Sequence, residues 1–170
     1  MTKVTFLLVH LTFVLLGAVL LQGLIKKMKS RFQGRRGPSL LQSYFDLWKF
    51  LRKESVVSEH ASWVFCFTPY IVFAATLSAS LFVPVWTAVS PLGFAGDAIL
   101  VVYLLGLARF FEALAALDTG SAFGGMGSSR EMTISSFAEP ALLMALFLVG
   151  LEVNSLNLSE IITRFSGVGY

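Results

Sequence analysis

The chain has 170 residues and a net charge of +3, and 56% of its residues are hydrophobic while only 14% are charged. Because soluble domains carry roughly 25% charged residues, this composition excludes an ordinary soluble domain and predicts an integral membrane protein. In a membrane protein an excess of Lys and Arg reports orientation and contact with anionic lipids, so we expect no nucleic-acid partner.

Four apolar runs predict four transmembrane helices in a single membrane domain covering residues 1–170. The predicted spans are residues 4–25, 63–86, 98–117 and 134–153. At a rise of 1.5 Å per residue, runs of this length cross a bilayer core of roughly 30 Å. Lys3 is the only basic residue before the first run, and a basic cluster follows it. This order is the reverse of that in a signal peptide. We therefore expect a retained span with its N-terminus outside.

A basic segment, residues 26–62, separates the first two spans and is predicted to be a cytoplasmic loop by the positive-inside rule. After Pro38, apolar residues recur every three or four positions as far as Leu51, opposite a polar and basic face. This pattern predicts an amphipathic helix, which we place at the membrane interface because aromatic and basic residues favour that position. The alternative is an ordinary surface helix of a soluble domain. The basic residues of this segment are Lys26, Lys27, Lys29, Arg31, Arg35, Arg36, Lys49, Arg52 and Lys53.

Residues 118–133, DTGSAFGGMGSSREMT, are dense in glycine and are predicted to form a loop. A phosphate-binding loop is a weak interpretation, because no Gly-Lys-Ser/Thr ending follows. A compact loop packed against a partner subunit is favoured instead. Residues 154–170 form a tail that is polar and weakly patterned.

Ionisable groups inside a bilayer are costly and are therefore functional candidates. Arg109, Glu112, Asp118 and Glu139 all belong to the predicted cytoplasmic half of the third and fourth spans. They could line one polar cavity or the mouth of a proton path. The alternative is a structural ion pair between Arg109 and Glu112, with boundary residues in water. His10 is a candidate proton relay, although a hydrogen bond to a neighbouring helix is favoured.

The sequence gives no nucleophile–base pair and no metal-ligand spacing, and its single cysteine, Cys66, cannot ligate an iron–sulfur cluster alone. We therefore expect no catalytic residue, no metal site and no cofactor in this chain, and we expect that it is not an enzyme by itself.

Two segments, RFQGRRGPSLLQSYFDLWKFLRKE (residues 31–54) and LARFFEALAALDTGSAFGGMGSSREM (residues 107–132), resemble the complex I subunit 1 family of membrane proteins. The resemblance is strongest to one branch, formate hydrogenlyase subunit 4 and hydrogenase-4 component C, the membrane subunits of energy-converting nickel–iron hydrogenases. Glu139 corresponds in kind to the acidic residue of the span that follows the second segment. The residues that match the two motifs, and that are implied to contact other subunits, are Arg35, Arg36, Gly37, Pro38, Gly124, Gly125, Gly127, Ser128, Ser129, Arg130 and Glu131.

The resemblance implies a subunit that links a hydrophilic arm, with hydrogenase large and small subunits and iron–sulfur proteins on the cytoplasmic side, to a proton-translocating membrane arm with antiporter-like subunits. The resemblance also implies that the protein lies in a prokaryotic inner membrane. Family members have further spans, so the chain resembles their N-terminal half. The alternatives are the equivalent subunit of an NADH- or ferredoxin-quinone oxidoreductase, a stand-alone ion carrier using Glu112 and Glu139, and a purely structural scaffold.

Overall fold

The computed structural model describes residues 3–54, 57–58 and 61–165, and this part of the chain contains α-helices and no strands. Four of the helices are long and apolar enough to cross a membrane. The predicted class, an all-α membrane protein with four spans, is therefore confirmed. The helices are α1 (Lys3–Phe32), α2 (Gln42–Leu51), α3 (Trp63–Phe82), α4 (Asp97–Asp118), α5 (Ala122–Val153) and α6 (Leu158–Phe165).

Contacts within the chain divide it into two compact units. The hairpin unit is Leu8–Val56 and contains most of α1, the basic turn and α2. The bundle unit is Met1–Leu7 with Val57–Tyr170 and contains α3 to α6. The sequence predicts a single membrane domain over residues 1–170. That prediction depends on how the two units pack together, and it stays a prediction.

The hairpin unit turns back on itself directly after α1. Gly34 adopts a left-handed conformation with φ of 68°, which glycine allows without steric cost. The N–H of Arg35 donates to the carbonyl of Ser30 at 2.9 Å, so a carbonyl near the helix end is satisfied, as helix termini require. The chain then runs back along α1, where the hydroxyl of Tyr44 on α2 donates to the carbonyl of Leu16 at 2.5 Å.

The bundle unit is built on helix pairs that approach closely. α3 packs against α4, α4 against α5, and α6 against the end of α5. Small side chains dominate the buried positions of α3 and α4, which suits helix association in a bilayer because it lets backbones come together. These buried positions are Ala75, Ala79, Ala98, Val102, Ala108, Ala113 and Ala115.

The predicted loop at residues 118–133 is wrong, because helix α5 already begins at Ala122. Ser121 caps it by accepting a hydrogen bond from the N–H of Gly124 at 3.0 Å. Glycine costs about 1 kcal/mol relative to alanine inside a helix, and this cap together with the close packing of the first turn against α4 offsets that cost. At 1.5 Å per residue, α5 is roughly 48 Å long and exceeds a bilayer core of roughly 30 Å.

Two other helix boundaries differ from the expectations. The second span ends at Phe82 rather than at residue 86, and α1 continues to Phe32, into the segment expected to be a loop. The weakly patterned tail contains a further short helix, α6, at Leu158–Phe165. Asn157 begins this helix, and its side-chain oxygen accepts from the N–H of Ser159 at 2.9 Å.

Candidate functional site

A groove between α4 and α5 brings together two of the predicted site residues. It contains two neighbouring cavities of about 260 Å³ each, and both are lined by Gly106, Arg109 and Glu139. One cavity is completed by Phe110, Met132, Ser135 and Ser136, and the other by Val102, Leu105, Ala138 and Leu142. The groove therefore places the acidic side chain of Glu139 and the cationic side chain of Arg109 in otherwise mostly apolar surroundings.

The carboxyl group of Glu139 is held against the backbone of α4 where that helix has a glycine. A Cβ atom at Gly106 would lie 3.3 Å from Oε1 of Glu139 and 3.5 Å from its Cδ. Because Gly106 has no side chain, the carboxyl group can lie against the helix and stay half-buried. The carboxyl group of Glu139 therefore lies beside both small cavities.

Arg109 and Glu112 do not behave as the structural ion pair that was the alternative. Both side chains are exposed, and neither has an ion-pair partner among the described residues. Arg109 lines both cavities with Glu139, whereas Glu112 is in the lining of neither. The groove is thus defined by Arg109 and Glu139.

Asp118 is not part of the groove and lies where α4 meets the start of α3. It is the last residue of α4, and its Oδ2 accepts hydrogen bonds from the N–H groups of Ser62 at 2.7 Å and Phe65 at 3.2 Å. These donors belong to the start of α3, where free N–H groups need acceptors and a negative charge is favourable. Asp118 therefore joins the end of α4 to the beginning of α3.

The predicted contact residues of the basic turn are accessible. Arg35, Arg36, Gly37 and Pro38 are all exposed. A Cβ at Gly37 would collide with the Oγ of Ser30, so this glycine lets the turn lie directly on α1.

The predicted contact residues of the glycine-rich segment lie on the first turns of α5. The side chain of Phe123 is 88% exposed and that of Met126 is 63% exposed, and Gly127, Ser129, Arg130 and Glu131 are exposed beside them. Ser128 faces the interior, where its Oγ donates to the carbonyl of Gly125 at 3.1 Å. The first turns of α5 therefore present an uncovered face with two large apolar side chains and a charged end.

Sequence reasoning missed a buried polar cluster at the other end of α4. Asp97 is completely buried, and its Oδ1 accepts from the N–H of Leu158 at 2.8 Å. The sequence held a signal for the start of α6, because Asn157 followed three residues later by Glu160 is a capping-box pattern, which indicates the beginning of a helix.

His10, the candidate relay, is buried with 2% of its surface exposed.

Comparisons with known proteins place this chain in one family. Residues 4–167 match the model of the family described as NADH dehydrogenase. Formate hydrogenlyase subunit 4 of Escherichia coli is 41% identical over 144 residues, which cover 85% of this chain and 47% of that protein. Hydrogenase-4 component C of Escherichia coli is 34% identical over 167 residues, which cover 98% of this chain and 53% of that protein.

A more distant relative is a putative NADH-ubiquinone oxidoreductase of Methanocaldococcus jannaschii, which is 28% identical over 151 residues, or 88% of this chain and 48% of that protein. The chain spans about half the length of the curated relatives that it matches. The family match, by contrast, extends over nearly all of the chain, and the four long apolar helices agree with it. The chain belongs to the NADH dehydrogenase family, the complex I subunit 1-like proteins.

Proposed function

We propose that this chain is a non-catalytic anchoring and coupling subunit of a membrane-bound oxidoreductase complex of the hydrogenase type. In this role it links an iron–sulfur hydrophilic arm, which holds the hydrogenase large and small subunits, to a proton-translocating arm of antiporter-like membrane subunits. The observation that carries the proposal is the similarity to formate hydrogenlyase subunit 4 and hydrogenase-4 component C over 85% and 98% of the chain.

The inventory of ligating side chains supports a non-catalytic role. The chain has one cysteine and two histidines, whereas an iron–sulfur cluster takes four thiolates, or two with two histidines. The redox centres would accordingly belong to the partner subunits. This chain would supply the membrane anchor and the surface on which those subunits dock.

We propose two docking surfaces, one in each unit: the basic turn, Arg35 to Pro38, in the hairpin unit, and the first turns of α5 in the bundle unit. Large exposed apolar side chains next to charged ones mark protein interaction sites, and Phe123 and Met126 meet that description beside Arg130. The remaining Lys and Arg residues of segment 26–53 would contact anionic lipid headgroups at the cytoplasmic surface.

The groove of Arg109 and Glu139 is the proposed coupling element. A carboxyl group in a membrane helix that reaches a small cavity open to water can take up and release a proton, and intramembrane acids commonly mark proton relays. Glu139→Gln would keep the shape of the side chain and remove its titration. We expect this variant to leave assembly and hydrogenase activity unchanged while it lowers the proton gradient formed in membrane vesicles, and Glu152→Gln, at an exposed acid of α5, serves as the matched control.

The first experiment is an affinity purification of this chain from its native membranes in a mild detergent, followed by mass spectrometry of the proteins that copurify. We expect a nickel–iron large subunit and small iron–sulfur proteins. Arg35→Ala with Arg36→Ala should reduce their recovery. Lys26→Ala with Lys27→Ala controls for the general loss of positive charge. Recovery of the chain alone, with membrane-bound hydrogenase activity intact after its deletion, would contradict the proposal.

A second candidate function is the equivalent subunit of a quinone oxidoreductase. It is favoured by the relative named as a putative NADH-ubiquinone oxidoreductase, at 28% identity. The purified complex distinguishes the two functions: electron transfer to a soluble quinone analogue, without hydrogen evolution, would favour the second candidate.

The proposed setting is a prokaryotic inner membrane with the N-terminus outside. The test is labelling of single cysteines in intact cells with a reagent that does not cross the membrane, in a Cys66→Ala background. Thr2→Cys should be labelled from outside, and Ser39→Cys should be labelled only after the membrane is opened. The reverse pattern would overturn the orientation.

A further inference from the structure

Asp97 has a position that the proposed coupling function does not explain. It is the first residue of α4, and none of its surface is exposed. Burying a carboxylate is expensive unless other groups compensate its charge. The compensation in the structure is incomplete. Oδ1 accepts one hydrogen bond, from the N–H of Leu158 at the start of α6. Oδ2 is buried and has no hydrogen-bond partner among the described residues.

Two serine hydroxyls lie near this unpartnered oxygen. Ser90, which is 5% exposed, comes from the segment between α3 and α4, and Ser159 comes from α6. Their Oγ atoms are 3.0 Å apart, and the N–H of Ser90 donates to the Oγ of Ser159 at 2.9 Å. The hydroxyls are thus fixed in place by the meeting of two segments that are far apart in sequence.

Gly93 shows that the three oxygens surround the same small region. A Cβ at this glycine would collide with the Oγ of Ser90, and it would lie 3.4 Å from Oδ2 of Asp97 and 3.6 Å from the Oγ of Ser159. Any side chain at position 93 would therefore intrude on the cluster. The buried Oδ2 of Asp97 and the two serine hydroxyls therefore lie around one point beside Gly93.

We propose that Asp97, Ser90 and Ser159 form a binding site for a small monovalent cation of the sodium type. A single positive charge would balance the one carboxylate, which has no ion-pair partner among the described residues. Each hydroxyl oxygen has two lone pairs. Ser159 uses one for the N–H of Ser90. When Ser159 donates its hydrogen to the Oγ of Ser90, each hydroxyl oxygen keeps one lone pair for a cation.

The ligand set argues against other metals. Transition metals prefer nitrogen and sulfur ligands, and oxygen-only sets suit hard cations. Calcium takes six to eight oxygens, commonly with several carboxylates, and magnesium needs near-octahedral geometry. One carboxylate with two hydroxyls 3.0 Å apart favours a small, singly charged ion, with water completing its coordination. The bound ion would tie the beginning of α4 to the first turn of α6.

The test is thermal unfolding of the purified full chain in detergent, with NaCl replaced stepwise by choline chloride at constant ionic strength. A ligand that binds only the folded state raises the unfolding temperature as its concentration rises. We expect a rise with sodium that is smaller with potassium. Asp97→Asn should abolish the response, whereas Glu152→Gln, which removes an exposed acid at the end of α5, should retain it.

Should Asp97→Asn fail to fold, Ser90→Ala and Ser159→Ala each remove one ligand and leave the carboxylate, and we expect both to need more sodium for the same half-maximal rise. The wild-type chain also decides the question without any variant. Equal unfolding temperatures in sodium, potassium and choline chloride would overturn the proposal, and so would a sodium response that persists in Asp97→Asn.

Discussion

The hairpin unit and the first turns of α5 both contain several glycines, but these glycines meet very different surroundings. In the hairpin unit, a Cβ at Gly23 would collide with the backbone carbonyl of Leu40. On α5, Gly125 and Gly127 have no atom of the described chain within 4 Å of an added Cβ. The first glycine is required by packing within the chain. The other two cost helix stability and have no such reason, which fits the proposed role of this face in contact with another subunit.

The largest effect is expected from Gly23→Ala. The new Cβ would meet backbone atoms of Leu40, which cannot rotate away, so α1 and the returning segment must separate. Overpacking of this kind costs about 1–3 kcal/mol. The hairpin unit should open more often, and trypsin should cleave the basic turn faster at Arg35 or Arg36. Gly17→Ala is the matched control. It lies on the same helix, and an added Cβ there has no atom of the described residues within 4 Å, so the cleavage rate of this variant should not rise.

Gly124→Ala should have the next largest effect. Its Cβ would collide with the carbonyl of Ala116 and lie 2.9 Å from the Oγ of Ser121, the residue that caps α5. The variant should therefore lower the unfolding temperature of the full chain. Gly125→Ala, one residue further along the same helix, is the control. If both variants unfolded at the same temperature, the close approach of α5 to α4 would not be the reason for the glycine.

The sequence predicts the parts of this fold that depend on composition over many residues. Long apolar runs identified α1, α3, α4 and α5 as spans, and the spacing after Pro38 indicated α2. The start of α5 was missed because glycine propensity is local, whereas the helix is stabilised by the Ser121 cap and by packing on Ala116, which only the folded chain brings together.

The candidate site was predictable only as a set of residues. Ionisable groups in apolar runs pointed to Arg109, Glu112, Asp118 and Glu139, but the rotation of each helix decides which of them meet. Arg109 and Glu112 are three residues apart, a spacing that puts side chains on neighbouring positions of a helix surface, yet only Arg109 lines the groove with Glu139. The position of Asp118 depends on the start of α3, more than fifty residues earlier in the chain.

Gly125→Ala combined with Gly127→Ala should separate stability from assembly. Each change removes up to about 1 kcal/mol of helix cost, and the added Cβ meets no atom of the described residues within 4 Å. The isolated chain should therefore unfold at the same or a higher temperature. If this face contacts a partner subunit closely, the same variant should reduce copurification of that subunit. Undiminished copurification would remove these two glycines from the proposed docking surface.

The smallest effect on stability is expected from Gly106→Ala in the groove between α4 and α5. A Cβ at this position would lie 3.3 Å from Oε1 of Glu139, so the flexible carboxyl group needs to move by only a few tenths of an ångström. We expect a loss well under the 1–3 kcal/mol of ordinary overpacking, measured as a barely changed unfolding temperature. Its functional effect should be larger, because the displaced carboxyl group is the proposed proton carrier, and proton-gradient formation in vesicles should fall toward the level of Glu139→Gln.

Gly150→Ala, near the other end of α5, is the control and should give the opposite pattern. Its Cβ would collide with the side chain of Leu156 and lie 3.2 Å from the carbonyl oxygen of Ser155, so stability should fall while the groove is untouched. If Gly106→Ala left the proton gradient at the wild-type level, the position of the Glu139 carboxyl group against α4 would have no part in coupling.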